Sequence, residues 1–543
     1  MTRILQERML LSGDEAVALA AFNAGVRLGT GYPGTPSTEI LEAFARLGGA
    51  ARWAPNEKVA LEVGLGASFG GARALVTMKH VGVNVAADVL FTATYTGVDG
   101  GLVLVSADDP GMASSQNEQD NRHYARAAGA IMLEPADAQQ SYDFTGAAFE
   151  ISERFHLPVI LRMTTRVCHS KSIVTQRPLP PPSAAPAFRR DVPGRVMIPA
   201  HARPAHRRLR ERLARAAGYA EDCPQTLVER RGKALGIVTS GVCALHAREA
   251  APEASLMQLG FSHPLPMRAI REFVASVDRC VVVEEGDPIL VAELRAEGLK
   301  VEGKAERFRF GELNVERVRR ILSGDDSPEP ETPSGKPPML CEGCSHRPVF
   351  EALSRLDCIV SGDIGCYTLG VLPPFSAIDS CVCMGASIGV GLGLRHVLPP
   401  GEARRVVSVI GDSTFMHSGL TGLAEMVYNP PPGGHVLLIL DNGTTAMTGQ
   451  QEHPGTGRDL SHRVAKRIVP EEVARAMGIA NVTTIDPMAD EAALERAIAS
   501  ALASGELCVI VARRACILAA PKIRIYERAA AASAMAKMAE TAK

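Results

Sequence analysis

Short unbroken apolar runs, separated by alanine-rich stretches of helical spacing, recur along most of this chain. That pattern belongs to buried parallel strands joined by crossover helices. In the first third, positions 74–78, 102–106 and 158–163 read as strands, and 14–23, 57–69 and 136–155 read as helices. A shorter set follows, with strands at 234–239, 254–259 and 279–284. A third set has strands at 406–410 and 436–440 with a helix at 418–428 between them. Strands that alternate with helices in this way predict an α/β fold with helices on both faces of each sheet.

Two punctuated stretches divide the pattern. Proline-rich 177–186 leads into a basic helical segment at 204–217 that carries His206-Arg207-Arg208-Leu209-Arg210-Glu211-Arg212. It reads as a solvated linker helix, with a docking surface for an acidic partner as the alternative. Positions 323–338 are rich in Asp, Glu, Pro and Ser, without apolar periodicity. The expected organisation is three α/β domains at 10–178, 234–322 and 339–520. Linkers at 179–233 and 323–338 join them, and an alanine-rich helical tail occupies 521–543. No internal repeat of solenoid length is visible.

Chemistry concentrates at two strand ends. Gly411-Asp412-Ser413 closes one apolar run, and Asp441-Asn442-Gly443-Thr444 closes the next. Carboxyl ends of neighbouring parallel strands are where open α/β sheets bind ligands. The Asp412 carboxylate, the Asn442 amide oxygen and a turn carbonyl are hard donors suited to magnesium, and the glycines expose backbone N–H groups to a diphosphate. Ordinary strand-to-turn junctions would explain either motif alone; the pair, one helix and one strand apart, favours a magnesium-diphosphate site.

The chain has 543 residues, with 58 basic against 60 acidic side chains, so its overall charge asks for neither nucleic acid nor an anionic membrane. Its first residues carry charges where a signal peptide would be apolar, and no apolar stretch is long enough to span a bilayer, so a soluble cytoplasmic protein is expected. Twelve cysteines do not make a secreted disulfide scaffold, and Cys341-x-x-Cys344 is a spacing that suits metal or redox chemistry.

Longer words carry a family resemblance. Tyr32-Pro33-Gly34-Thr35-Pro36-Ser37-Thr38-Glu39 is similar to the turn that opens the pyrimidine domain of the thiamine diphosphate-dependent 2-oxoacid:ferredoxin oxidoreductases. Asn56-Glu57-Lys58-Val59-Ala60-Leu61-Glu62, Thr77-Met78-Lys79-His80-Val81-Gly82, Ser106-Ala107-Asp108-Asp109-Pro110-Gly111 and 114–122 resemble the α subunits of the indolepyruvate ferredoxin oxidoreductase family. So do 363–370 and 444–449. The resemblance spans about residues 10 to 520. It implies a thiamine diphosphate-binding fold: two doubly wound parallel-sheet domains, pyrimidine-binding at 10–178 and diphosphate-binding at 339–520, plus a smaller transketolase C-terminal-like α/β domain.

Site roles follow as implications of that resemblance. Asp412 and Asn442 become side-chain magnesium ligands, with the Thr444 carbonyl as a third, and Gly411 and Ser413 lie against the diphosphate. Met384-Gly385-Ala386 resembles the segment that faces the aminopyrimidine, and Thr35 would sit over the reacting carbon. Glu57 is the candidate carboxylate for the aminopyrimidine, with Glu62 as runner-up. His453 is either a substrate or proton-transfer residue or a structural loop histidine. Cys341 and Cys344 resemble the pair that opens the diphosphate domain of related β subunits and holds a [4Fe–4S] cluster, and Cys366 and Cys516 match the remaining ligands. A zinc site and reduced structural cysteines remain alternatives, and Cys381-x-Cys383 reads as core.

Related pyruvate enzymes place an arginine near the position of Asp108. An acid there disfavours a small anion and agrees with an arylpyruvate substrate such as indolepyruvate, phenylpyruvate or 4-hydroxyphenylpyruvate, with coenzyme A as co-substrate taking the acyl group. The chain departs from the family in having no cysteine after Cys516, hence no ferredoxin-like module at that end. Electrons would leave through the one cluster to ferredoxin or another acceptor. The implied partners are a smaller β subunit, in a dimer of heterodimers, and the electron acceptor. The rivals are a non-oxidative thiamine diphosphate-dependent decarboxylase and a non-catalytic relative that keeps the fold.

Overall fold

The computed structural model describes residues 8–182, 185–329 and 337–541. The charged first residues, 1–7, and the centre of the acidic linker, 330–336, lie outside the described residues. The chain forms two compact units, 1–330 and 331–543.

The first unit is built on a seven-stranded sheet. Its spatial order is Phe261–His263, Ile131–Leu133, Val159–Thr164, Leu102–Asp108, Ala74–Lys79, Leu28–Gly31 and Ala51–Trp53. All neighbours are parallel except Phe261–His263, which runs antiparallel to Ile131–Leu133 at one edge. Leu61, Val76, Leu90, Leu104 and Ile160 pack together on one face. The alternate residues Leu75, Val103 and Val105 are equally buried, so both faces are covered, as a parallel sheet requires. Helix Glu57–Phe69 starts at the Asn56 cap, whose side chain accepts from Val59 N at 2.9 Å.

A four-stranded sheet in the same unit has Cys280–Val283, Gly236–Ser240 and Ser255–Leu259 in parallel, with Leu227–Glu229 antiparallel at its edge. The expected basic helix is Pro199–Ala220, and it is not a solvated linker. Ala205, Leu209, Ala216 and Ala220 form a buried stripe, Tyr95 stacks on His206, and the Arg154 guanidinium lies over Tyr219. The arginines dominate the composition of the segment, and the small alanines hide its apolar face from a sequence reading.

A buried ion network ties the strand ends of the large sheet to the smaller one. Arg162 bonds Asp108 at 2.6 Å and Glu134 at 2.7 Å, and Arg122 bonds Asp120 at 2.5 Å and Glu284 at 2.6 Å. Each of these six groups is almost wholly removed from solvent.

The second unit carries a six-stranded parallel sheet in the order Ser380–Cys381, Ile359–Gly362, Val406–Gly411, His435–Asp441, Leu507–Arg513 and Asn481–Ile485. Val407, Val409, Val436 and Leu438 pack on one face with Phe350 and Leu353. Ile410, Leu437, Ile439 and Val509 pack on the other with Leu392 and Leu423. The helix after Val406–Gly411 begins earlier than expected. Asp412–Thr414 is helical, Phe415–Gly419 is a π turn, and Leu420–Tyr428 continues as α-helix. Such π turns often mark functional sites. The tail helix, Ala520–Thr541, follows the last sheet strand after the short segment 514–519, which carries Cys516. Among the described residues, no helix is long and apolar enough to cross a membrane.

His435 is fully buried in its strand, with Nε2 2.8 Å from Ser408 Oγ, which in turn donates to the Ser387 carbonyl at 2.7 Å. Burial depresses its pKa to about 3. The folded state therefore stays neutral while the unfolded chain takes up a proton below about pH 6.5. Stability from this group is complete above that pH and is lost as pH falls toward the folded value. Urea unfolding of His435→Gln should lose less stability between pH 6.5 and pH 4 than the wild type does, by up to about 1.4 kcal/mol per pH unit; parallel pH profiles would refute a buried neutral His435.

Candidate active site

In the second unit the two strand-end motifs converge on one carboxylate. Asp412 Oδ1 accepts from its neighbour Ser413 N at 2.8 Å, and Oδ2 accepts from Gly443 N at 2.8 Å. Thr445 Oγ1 donates to Ser413 Oγ at 2.9 Å, a second tie between the loops. Gly443 has φ +73°, a left-handed conformation that suits glycine and turns its N–H toward Asp412. Burial by itself would raise the Asp412 pKa, but His453 and the two N–H donors hold it below the usual carboxylate range. Asp441, beside it, is shifted upward by burial and by the Asp412 charge, against the pull of Arg513 at 2.7 Å.

Asn442 is oriented on both sides of its amide. Oδ1 accepts from Thr444 N at 3.1 Å, and Nδ2 faces His346 Nε2 at 3.4 Å. His346 is buried, burial lowers its pKa to about 4, and its ring meets Tyr367 edge-on. His453 is buried as well. Its Nδ1 accepts from Gly455 N at 3.1 Å, and Nε2 stands 3.3 Å from Asp412 Oδ2. Gly411 is held under the Tyr367 ring, where an added Cβ would come within 2.5 Å of Cε1.

Gly385 lies against the π turn Phe415–Gly419 that follows Asp412. Gly385 N donates to the buried Asp363 carboxylate at 2.9 Å, and Ser387 N reaches the other oxygen at 2.9 Å. A Cβ on Gly385 would meet the Ser418 side chain at 2.5 Å. Cys381 and Cys383, expected in the core, are exposed; the small residues around them serve this close backbone approach and do not bury the thiols.

Cys341, Cys344, Cys366 and Cys516 line one cavity of about 100 Å³, together with His346, Leu369 and Asn442. The Cys341–Cys344 turn is closed by Cys344 N to the Cys341 carbonyl at 3.2 Å, and Cys516 N bonds the Asn442 carbonyl at 2.9 Å. Burial and the neighbouring thiols push the Cys366 pKa up to about 11. Among the described residues, no three of these sulfurs lie mutually within 4.8 Å.

The first unit holds the other expected residues. Glu57, at the start of its helix, is buried with its carboxylate against Gly82, where an added Cβ would come within 2.7 Å of Oε1. Glu62 lies on the exposed face of the same helix, ion-paired with Lys58. Thr35 is half-buried in a turn whose Gly34 packs on Lys79, the last residue of strand Ala74–Lys79. Asp108 does not present an unpaired charge to a ligand. Arg162, distant in sequence but adjacent across the sheet, neutralises it, so the inference of anion exclusion from Asp108 fails.

Sequence reasoning passed over His346, and it met Asp363 and Tyr367 only within the 363–370 word of the resemblance, without a role for either. His346 stands two positions after Cys344, and that proximity to a cysteine pair was the available signal.

Two family descriptions match these segments: "Pyruvate flavodoxin/ferredoxin oxidoreductase, thiamine diP-bdg" over residues 19–203 and "Thiamine pyrophosphate enzyme, C-terminal TPP binding domain" over 363–512. Fold and site together are those of a thiamine diphosphate-dependent 2-oxoacid oxidoreductase. Indolepyruvate oxidoreductase subunit IorA of Archaeoglobus fulgidus is 38% identical over 94% of this chain and 87% of its own length. Its counterparts in Methanothermobacter thermautotrophicus (39% identical; 95% and 88% covered) and Thermococcus kodakarensis (36%; 94% and 86%) are similarly close. The chain belongs to this family of indolepyruvate oxidoreductase subunits. The solved 2-oxoglutarate:ferredoxin oxidoreductase from Magnetococcus marinus shares the fold, with a TM-score of 0.51 at 18% identity over 59% of this chain and 65% of that one.

Gly385 has φ +87°, so alanine there is strained by its backbone as well as by Ser418. Gly385→Ala should lower stability by on the order of 2 kcal/mol and weaken thiamine diphosphate binding, measured by denaturant unfolding and calorimetry. A variant matching the wild type in both would refute the close approach.

Proposed function

We propose that this chain is the large subunit of an enzyme that oxidatively decarboxylates arylpyruvates, with indolepyruvate and phenylpyruvate as the substrate class, and transfers the acyl group to coenzyme A. Cys341, Cys344, Cys366 and Cys516 would hold a [4Fe–4S] cluster, which would supply a one-electron route to ferredoxin or a similar acceptor. A smaller β subunit completes the enzyme, as a dimer of heterodimers in the cytoplasm. The observation that carries the oxidative reading is the cavity lined by Cys341, Cys344, Cys366 and Cys516, which Asn442 also lines.

The donor sets fit the groups. Asp412 and Asn442 are buried hard-oxygen donors held in place from both sides, and with the Thr444 carbonyl they would hold magnesium. Gly411 and Ser413 would lie against the diphosphate, and Met384 and Gly385 against the aminopyrimidine. His453, engaged with Asp412 and Gly455, is assigned to positioning Asp412. Four thiolates lining one cavity are a donor set that would hold a [4Fe–4S] cluster, with a tetrahedral zinc site as the metal alternative.

Bound thiamine diphosphate supplies the carbon nucleophile and the electron sink for loss of CO2. Glu57 would hold a proton toward the aminopyrimidine ring nitrogen when the cofactor is bound. Its burial, against the exposed and ion-paired Glu62, supports this choice over the runner-up. Thr35 borders the substrate. A cluster supplies the one-electron acceptor, and the raised thiol pKa values mean that its assembly must displace protons from Cys366 and Cys344.

Two measurements on the assembled enzyme test the proposal. Glu57→Gln should keep thiamine diphosphate binding but lose about 10²- to 10⁴-fold in C2-proton exchange of the bound cofactor; the same loss in Glu62→Gln and not in Glu57→Gln would reverse the assignment. Anaerobically prepared wild type should hold roughly four iron atoms per chain, and Cys344→Ser should lose them together with acceptor reduction while retaining the cofactor. Iron near zero in the wild type would replace the oxidoreductase reading with the decarboxylase.

A further inference from the structure

Outside the thiamine site, three helix ends of the first unit converge. Asp14 is the second residue of helix Gly13–Asn23, Glu39 the second of Thr38–Arg46, and His169 the last of Thr165–His169. One carboxylate oxygen from each acid and one imidazole nitrogen all lie within 4.8 Å of one another. Glu39 and His169 are exposed, and Asp14 is 1% exposed. Neither Asp14 oxygen has a hydrogen-bond partner of normal geometry. The buried Cys168 thiol stands beside it, a weak donor. Nearby cations are engaged elsewhere: Arg166 with Glu312 at 2.6 Å and Lys171 with Glu15 at 3.7 Å.

A buried carboxylate without donors is costly unless a proton or a cation compensates it. One proton would satisfy one oxygen of Asp14 and leave the second acid beside it. A divalent cation would neutralise both carboxylates and also use the imidazole, which a shared proton leaves idle. We propose that Asp14, Glu39 and His169 form a site for a divalent transition-metal ion of the zinc, manganese or iron class, with water on the open side. Mixed nitrogen and carboxylate donors select that class over magnesium or calcium, which prefer all-oxygen shells. Ligand atoms around zinc stand about 3.4 Å apart, a contraction that the exposed side chains of Glu39 and His169 can make by rotation. The ion would clamp the starts of two helices to the end of a third, at the base of the 32–38 turn.

The test uses the full chain with its partner subunit, stripped by chelator and titrated with Zn2+ against a chromophoric competitor. Asp14→Asn and His169→Ala are compared with wild type, and all cysteines are retained so that thiol-bound zinc cancels. The expected result is one equivalent fewer in both variants, and a Zn2+-induced rise in wild-type melting temperature that His169→Ala lacks. His169 is on the surface, so its replacement leaves the fold intact. Equal stoichiometry in wild type and His169→Ala, or equal melting shifts, would overturn the site and leave Asp14 as a buried protonated acid.

Discussion

The second unit depends on one buried carboxylate. Asp412 sits where strand Val406–Gly411 becomes helix and accepts N–H groups from its own loop and from the loop of the neighbouring strand, each at 2.8 Å. Without that bridge the two strand ends would carry unsatisfied backbone donors in a buried corner, an arrangement that folded proteins avoid. The bridge also sets Asn442, and through the Asn442 carbonyl it reaches Cys516. The proposed magnesium-diphosphate and cluster sites are thus joined through the backbone of 442–443, whose Gly443 N–H donates to the Asp412 carboxylate and whose Asn442 carbonyl accepts from Cys516 N.

Charge is handled differently in the first unit. Its strand ends bury arginines among carboxylates, so that Asp108, Glu134 and Arg162 compensate one another, as do Asp120, Glu284 and Arg122. Removing one partner from such a set is expensive, since the remaining ion has no water to return to. The network joins the large sheet to the smaller one, and edge strand Phe261–His263 adds backbone pairing to the same junction. Glu57, at the start of its helix, is buried with its carboxylate against Gly82.

The thiols at the proposed cluster occupy a middle position. Cys344, Cys366 and Cys516 are half-buried and Cys341 is exposed, so an occupant of the cavity would be shielded from bulk water and still lie near the surface. One-electron exchange with a separate carrier needs that combination. The Cys341–Cys344 turn packs on Ile517 through Gly343, which fixes the first cysteine pair relative to the last ligand candidate.

Local pattern along the chain is enough for the strands and helices whose burial is uniform. Leu102–Asp108, Val406–Gly411, His435–Asp441 and Glu57–Phe69 are legible because an apolar run or a helical period states the local structure directly. The motifs at 411–413 and 441–444 were legible because a parallel sheet places successive strand ends side by side. Tertiary structure decided what depends on contacts between distant residues. The pairing of Asp108 with Arg162, the His346 contact to Asn442, the antiparallel edge strand and the buried stripe of the basic helix each need a partner far along the chain. The difference between Glu57 and Glu62 is of the same kind: both are acids on one helix, and only the packing of the sheet and Gly82 buries one and leaves the other in water.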